Sequence, residues 1–303
     1  MTHPTLPTHF QFSQGSLQAY VDCPKLFQLR YIERVSWPAP ESEPSLDTEN
    51  YIKLGASFHK LVQQYFLGVN PERLRAIAMR DPLLHQWWDN FLYHKPNSDG
   101  YAHHSEIKLS TPQDQFRLVA KFDMVFIKNT PLFTNENVIG NLSTESSELN
   151  GDLIIYDWKT SRKLPERRFQ ASRLQTRVYP YVLVKAGTNF LANKAIEPDQ
   201  IKMVYWFSNH PTKPLQFNYS QDSYEKDGTF LSALINEIKT IATDEARKTQ
   251  NQKRCRYCGY RSLCNRGVIA GPYLGSEEED HIQHENLDLD IDFDFDQISE
   301  IEF

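Results

Sequence analysis

Residues 118–126 read LVAKFDMVF and residues 153–162 read LIIYDWKTSR. Both runs are rich in aliphatic and aromatic residues, the composition of buried strands. Each carries one acid inside or at the end of the run: Asp123 in the first, Asp157 in the second, with Lys159 two residues later. Side chains two apart on a strand point to the same side, so Asp157 and Lys159 share a face. Two carboxylates at strand ends can converge on a hard cation such as Mg²⁺, which prefers oxygen ligands. A lysine beside that cation can orient or activate a water. Together these groups supply what phosphodiester hydrolysis needs. D-x-K alone is very common and by itself reads first as an exposed Asp and Lys at a strand end, so the surroundings have to decide.

Working outward, residues 1–12 read as a loose arm. Helical signals begin at Ser13, with Ser13 or Ser16 as N-cap, and Pro24 restarts a helix. The Pro- and acid-rich stretch 36–49 reads as a loop. Leu54, Phe58, Leu61, Val62 and Tyr65 recur at helical spacing over 53–67, and a further helix is expected over 71–94. Strands are expected over 104–109, 116–127 and 153–159, the last two separated by a polar insertion. A long helix follows over 165–186, then a strand pair at 201–208 and 215–219, and a helix over 230–248. Strands flanked by helices predict an α/β or α+β domain over 13–275.

Further candidate residues cluster in order along this framework. His59 lies in GASFHKLV ahead of the strands, and Glu106 lies in HHSEIKL. Gln175 and Tyr179 are four apart on the helix after Lys159, so they share a face. With SQGSLQAYVDCPKLFQLRY, QTRVYPY and CRYCGYRSLC, these motifs follow the order seen in the RecB-like nucleases of the PD-(D/E)xK superfamily. That group includes the AddB nuclease domain and the CRISPR-associated RecB-like exonucleases. The resemblance covers residues 13–266 and draws its specificity from the order of seven individually weak elements. It implies a restriction-endonuclease-like core, a mixed central sheet flanked by helices, with a helical N-terminal portion and a C-terminal iron–sulfur cap. It implies His59, Asp123, Asp157 and the backbone carbonyl of Trp158 as ligands of Mg²⁺ or Mn²⁺. Lys159 would be the catalytic lysine, and Gln175 and Tyr179 would arrange the site and the DNA. Glu106 would match an acid before the first site strand. The chain departs from the pattern in carrying Ala120 where Gly is usual and Phe122 where Pro is usual.

Cys23 and the cluster Cys255, Cys258 and Cys264 are the only cysteines. Three clustered thiols plus one distant partner satisfy either tetrahedral zinc or an iron–sulfur cluster, and spacing does not separate the two. The resemblance favours [4Fe–4S]. Either metal would pin together chain ends about 230 residues apart and remove entropy from the unfolded state.

The formal charge of -6 is misleading for a nucleic-acid enzyme. Residues 276–303 hold 12 acids and no Lys or Arg, which leaves 27 acids against 33 bases, +6, in the body. A basic body suits DNA as partner. The acidic tail, with the alternation LDLDIDFDFD at 287–296, is read as disordered, as folding back on the body, or as docking a partner protein. No apolar run is long enough to span a membrane and no secretory signal opens the chain, so the cytoplasm is the expected address. No G-x-x-x-x-G-K-[ST] occurs, so any helicase motor, or any CRISPR integration complex, would act in trans. The competing reading is a DNA-binding iron–sulfur module that does not cut.

Overall fold

A thirteen-residue strand forms the spine of the protein. In the computed structural model, which describes residues 6–7, 9–35, 43–128, 152–190, 195–241, 246–255 and 258–267, β3 (Phe116–Lys128) pairs along its length with antiparallel β2 (Tyr101–Gln113). Its other edge is shared by two strands in line. The parallel strand β1 (Gln11–Ser13) pairs with Arg117–Val119, and antiparallel β4 (Leu153–Lys159) pairs with Met124–Ile127. The parallel strand β5 (Ile201–Phe207) extends the sheet beyond β4, and antiparallel β6 (Leu215–Asn218) closes it. The sheet is therefore mixed and six-stranded, as expected for a restriction-endonuclease-like core.

Two helical layers cover its faces. On one lie α1 (Gln14–Asp22), α7 (Leu174–Ala186) and α8 (Gln221–Ile241), packed on Leu118, Ala120, Phe122, Ile155, Met203 and Tyr205. On the other lie α3 (Glu43–Phe66), α4 (Pro71–Ala78) and α5 (Pro82–His94), packed on Met124, Phe126, Trp158 and Trp206. The second core is aromatic: Trp87, Trp88, Phe58 and Phe91 have no exposed surface.

Several expectations are corrected. Residues 10–12 are not part of a loose arm: Phe10 and Phe12 are buried, and Gln11–Ser13 joins the sheet. Ser13 rather than Ser16 is the N-cap of α1, and Ser16 returns a hydrogen bond in a capping box. Helix α3 starts at Glu43, inside the expected loop, because Pro44 falls in its first turn, where a missing N–H has no helical partner to lose. The helix expected over 71–94 is two helices, since Asp81, restricted by Pro82, caps α5 through the N–H groups of Leu83 and Leu84. The helix expected over 165–186 is also two, α6 (Arg167–Ser172) and α7, broken at extended Arg173. The side-chain carbonyl of Gln18, from α1, accepts from the Leu174 N–H and caps α7 across the fold. Helix α8 starts at Gln221 rather than near 230, and Lys248 is not helical. The insertion at 129–151 and the acidic tail lie outside the described residues.

The first and last parts of the chain meet. Helix α2 (Pro24–Phe27) follows Cys23, and its Lys25 N–H donates to the Arg247 carbonyl at 3.2 Å. The Gln28 side-chain carbonyl accepts from the Ala246 N–H at 3.1 Å, and the Tyr260 hydroxyl donates to the Val35 carbonyl at 3.1 Å.

Candidate active site

The side-chain alternation of β3 reverses at Asp123. Leu118, Ala120 and Phe122 face the α7 layer, whereas Met124 and Phe126 face the α3 layer, so even-numbered residues change sides within three positions. Strand β2 reverses with it. Ile107 and Leu109 join the α7 core from odd positions, Ala102 joins it from an even one, and Glu106 between them has φ +54°. A left-handed backbone at a non-glycine residue costs on the order of 1–3 kcal/mol and is characteristic of functional sites. The ladder of β2 on β3 skips this pair, but its offset is the same on either side, with Ser105 against Met124 and Ile107 against Phe122, which sets Glu106 opposite Asp123. Continuing the register of β3 on β4 by one pair sets Asp157 on the other side of Asp123. Three acids thus lie in a row across three strands, at a point where β3 no longer keeps a single face.

Helices on both sides reach this point. From α3, the His59 Nδ1 lies 3.4 Å from Asp123 Oδ1. From α7, the Gln175 Nε2 donates to Asp157 Oδ1 at 2.6 Å. Lys159 Nζ lies 3.0 Å from Asp157 Oδ2, and both residues are buried. The Trp158 N–H donates to Asp123 Oδ2 at 2.9 Å, so the strand bonds to a side chain where the ladder stops. Glu106 Oε2 pairs with Lys121 Nζ at 2.8 Å. Tyr179 sits one turn beyond Gln175 and packs on Phe122, with ring centroids 5.1 Å apart.

Burial disfavours a charged His59, but Asp123 and Asp157 outweigh it and raise the imidazole to about 9. Burial likewise opposes charge on Asp123, and His59 together with the Trp158 N–H holds it below the usual carboxylate range. His59, Glu106 and Asp123 place one donor atom each so that all lie within 4.8 Å of one another. One imidazole nitrogen and two carboxylates suit a hard divalent cation. The residues present therefore fit the metal that the motifs imply.

A sequence model of the PD-(D/E)XK nuclease superfamily matches residues 11–265. The chain belongs to this superfamily. Among solved structures, this nuclease resembles a protein of Eubacterium rectale described as "Putative exonuclease", at 8% identity, over 86% of this chain and 90% of that one, with a TM-score of 0.47. It also resembles SSO0001, at 13% identity, over 86% and 87% of the two chains, with a TM-score of 0.36. No curated protein sequence matches it significantly.

The exit of β4 from the nuclease site is held by residues that the motifs do not mark. The Ser208 N–H donates to the Lys159 carbonyl at 2.8 Å. Asn209 Nδ2 donates to the Thr160 and Ser161 carbonyls at 3.1 and 2.9 Å, while its Oδ1 accepts from Trp87 Nε1 at 2.9 Å. The successive carbonyls of Lys159, Thr160 and Ser161 are thereby fixed from the β5–β6 turn. Gly55 serves the same contact: a Cβ there would sit 3.1 Å from the Thr160 Oγ1. Glycine in a helix interior costs roughly 0.5–1 kcal/mol, and that cost, four residues before His59, is the one signal that sequence offers. Asn209→Asp would turn a double donor toward two carbonyls into a carboxylate. It should lower kcat about tenfold with KM nearly unchanged, as expected when a misplaced group costs transition-state stabilisation. An unchanged kcat in a folded Asn209→Asp protein would remove the clamp from the account.

The four cysteines lie elsewhere, and none is in a disulfide. Cys23, Cys255, Cys258 and Cys264 line one cavity together with Leu26, Leu29 and Tyr260. The Thr249 N–H lies 3.4 Å from the Cys23 Sγ, and the Arg266 Nη1 lies 3.2 Å from the Cys255 Sγ. Burial raises the Cys258 thiol to about 11, and the other three sulfurs push the same way. Among the described residues the sulfurs share this cavity without any three closing to within 4.8 Å. No described helix is long and apolar enough to cross a membrane.

Proposed function

We propose that this nuclease is a Mg²⁺- or Mn²⁺-dependent deoxyribonuclease that degrades DNA from single-stranded or free ends. The observation that carries the reading is the meeting of His59, Glu106 and Asp123 beside the buried Asp157–Lys159 pair. His59, Asp123, Asp157 and the Trp158 carbonyl are the ligands proposed from sequence, and the convergence of Glu106 supports adding it. When bound, the cation polarises the phosphoryl group and neutralises charge that develops on it. Gln175 fixes one oxygen of Asp157 and leaves the other toward Lys159. Lys159, held by Asp157, donates to the attacking water and keeps it in line with phosphorus. Tyr179, through Phe122, braces the segment that carries Asp123.

The preference for ends, and a role in repair, recombination or CRISPR-type processing with a motor or integration complex in trans, rest on the likeness to RecB-like exonucleases. End-labelled single- and double-stranded DNA should release short products with Mg²⁺ or Mn²⁺ and none with chelator. Metal-independent cleavage, or none on either substrate, would defeat the reading. Cutting of covalently closed circles would defeat the end preference.

For the cysteine site we propose a structural [4Fe–4S] cluster. The choice over tetrahedral zinc rests on the likeness to iron–sulfur members of the family, and the four cysteines that line one cavity support a shared site.

A further inference from the structure

The segment leaving Lys159 is strongly basic. Residues 160–173 read TSRKLPERRFQASR, five cations against one acid in a protein of net charge -6. Arg162, Arg167 and Arg168 are exposed. Two of these three are also held in place. The Arg162 guanidinium carbon lies 4.5 Å from the centroid of the Tyr51 ring, on α3. That of Arg167 lies 4.5 Å from the Phe217 ring, on β6, and its Nη2 donates to the Gln216 carbonyl at 2.5 Å. The backbone between them is fixed at its start by the Asn209 clamp, and His210 Nε2 lies 3.2 Å from the Arg162 carbonyl.

An exposed arginine ordinarily loses side-chain freedom when it binds, at about 0.5–1.5 kcal/mol per immobilised chain. A guanidinium already laid on a ring has lost part of that freedom beforehand, and its planar edge still suits phosphate oxygens. Surface cations that serve only solubility have no need of such platforms. The position fits as well. Tyr51 lies eight residues before His59 on one helix, about 12 Å along its axis.

We propose that Arg162 and Arg167 are a preordered phosphate clamp that grips the substrate strand beside the cleavage site. This deepens the nuclease reading and takes from it only the identity of the polyanion. The contact is to backbone, so it carries no sequence preference. Lys163 and Arg168 flank it in sequence.

The test is equilibrium binding of a fluorescent single-stranded oligonucleotide by full-length protein in chelator, where nothing is cut, over a salt series. Each phosphate contact to a single strand contributes about -0.7 to the slope of log K against log salt. Arg162→Gln with Arg167→Gln should make that slope about 1.4 shallower and weaken binding roughly tenfold, with the melting temperature retained. Arg162→Lys should keep the slope but lose affinity, because an ammonium keeps the charge without the stacked plane. Arg80→Gln, on the α4–α5 turn, should change neither. In cleavage assays the double variant should raise KM and spare kcat. An unchanged slope in the double variant, or equal losses in Arg80→Gln, would overturn the clamp. Binding with no metal-dependent cleavage would leave the clamp standing and sink the nuclease reading.

Discussion

Asp157→Ala should slow DNA cleavage by at least about 10³-fold, and Lys159→Ala by roughly 10²–10³-fold, the range seen when one preorganised charge is removed from a site where charge develops. The two losses have different origins. Asp157 faces Gln175 with one oxygen and Lys159 with the other, so its removal disturbs two neighbours as well as the proposed ligand set. It also leaves Lys159, 9% exposed, as a buried cation without its nearest partner, a change that destabilises proteins by about 3–5 kcal/mol. Asp157→Asn keeps the shape and one of the two acceptor contacts, so it should lose less melting temperature than Asp157→Ala and still fail to cut. Lys159→Ala should retain metal affinity, read by titration of Mn²⁺, while losing kcat. Because residues acting as a unit are strongly non-additive, the double variant should be scarcely slower than Asp157→Asn. Cleavage at wild-type rates by either single variant would show that the chemistry lies elsewhere.

Cys23→Ser should lower the melting temperature by about 10–20 °C and bleach the visible absorbance of anaerobically purified protein. Cys23 and Cys255 are 232 residues apart in sequence and line one cavity. By the chain-entropy relation for cross-links, closing a loop of that length is worth on the order of 5 kcal/mol. In a protein of this size each kcal/mol moves the midpoint by about 2–4 °C. The hydrogen bonds from Lys25 to Arg247 and from Ala246 to Gln28 do not depend on the sulfurs. They should keep the ends associated once the cluster is lost, so the variant should melt earlier but remain folded at low temperature. Colourless wild-type protein with stoichiometric zinc would defeat the iron–sulfur assignment. A Cys23→Ser protein with unchanged colour and midpoint would defeat the staple.

Much of the candidate site is legible in the sequence because it is local. Asp157 and Lys159 share a side by strand periodicity, and Gln175 and Tyr179 share a side by helical periodicity. The structure brings Gln175 onto Asp157 and sets Tyr179 against Phe122. The spacing Cys255, Cys258, Cys264 needs no fold to be recognised. Sequence is silent where a distant residue intervenes. The break between α6 and α7 depends on Gln18 in α1, whose side chain caps Leu174 from 156 positions away. The sheet position of Gln11–Ser13 depends on β3 offering an open edge beside β4. Neither is written near the residues it affects.

The order of the strands from β2 onward, the acids on apolar runs, the basic body ahead of an acidic tail and the cysteine framework follow from sequence alone. Each is a matter of composition or of side-chain period along one segment. Tertiary structure decided that Glu106, Asp123 and Asp157 stand in one row, that β2 and β3 turn their faces over together at that row, and that Asn209 holds the carbonyls beyond Lys159. Register between strands is set by the packing of two cores against opposite faces of one sheet, and no single strand carries that information.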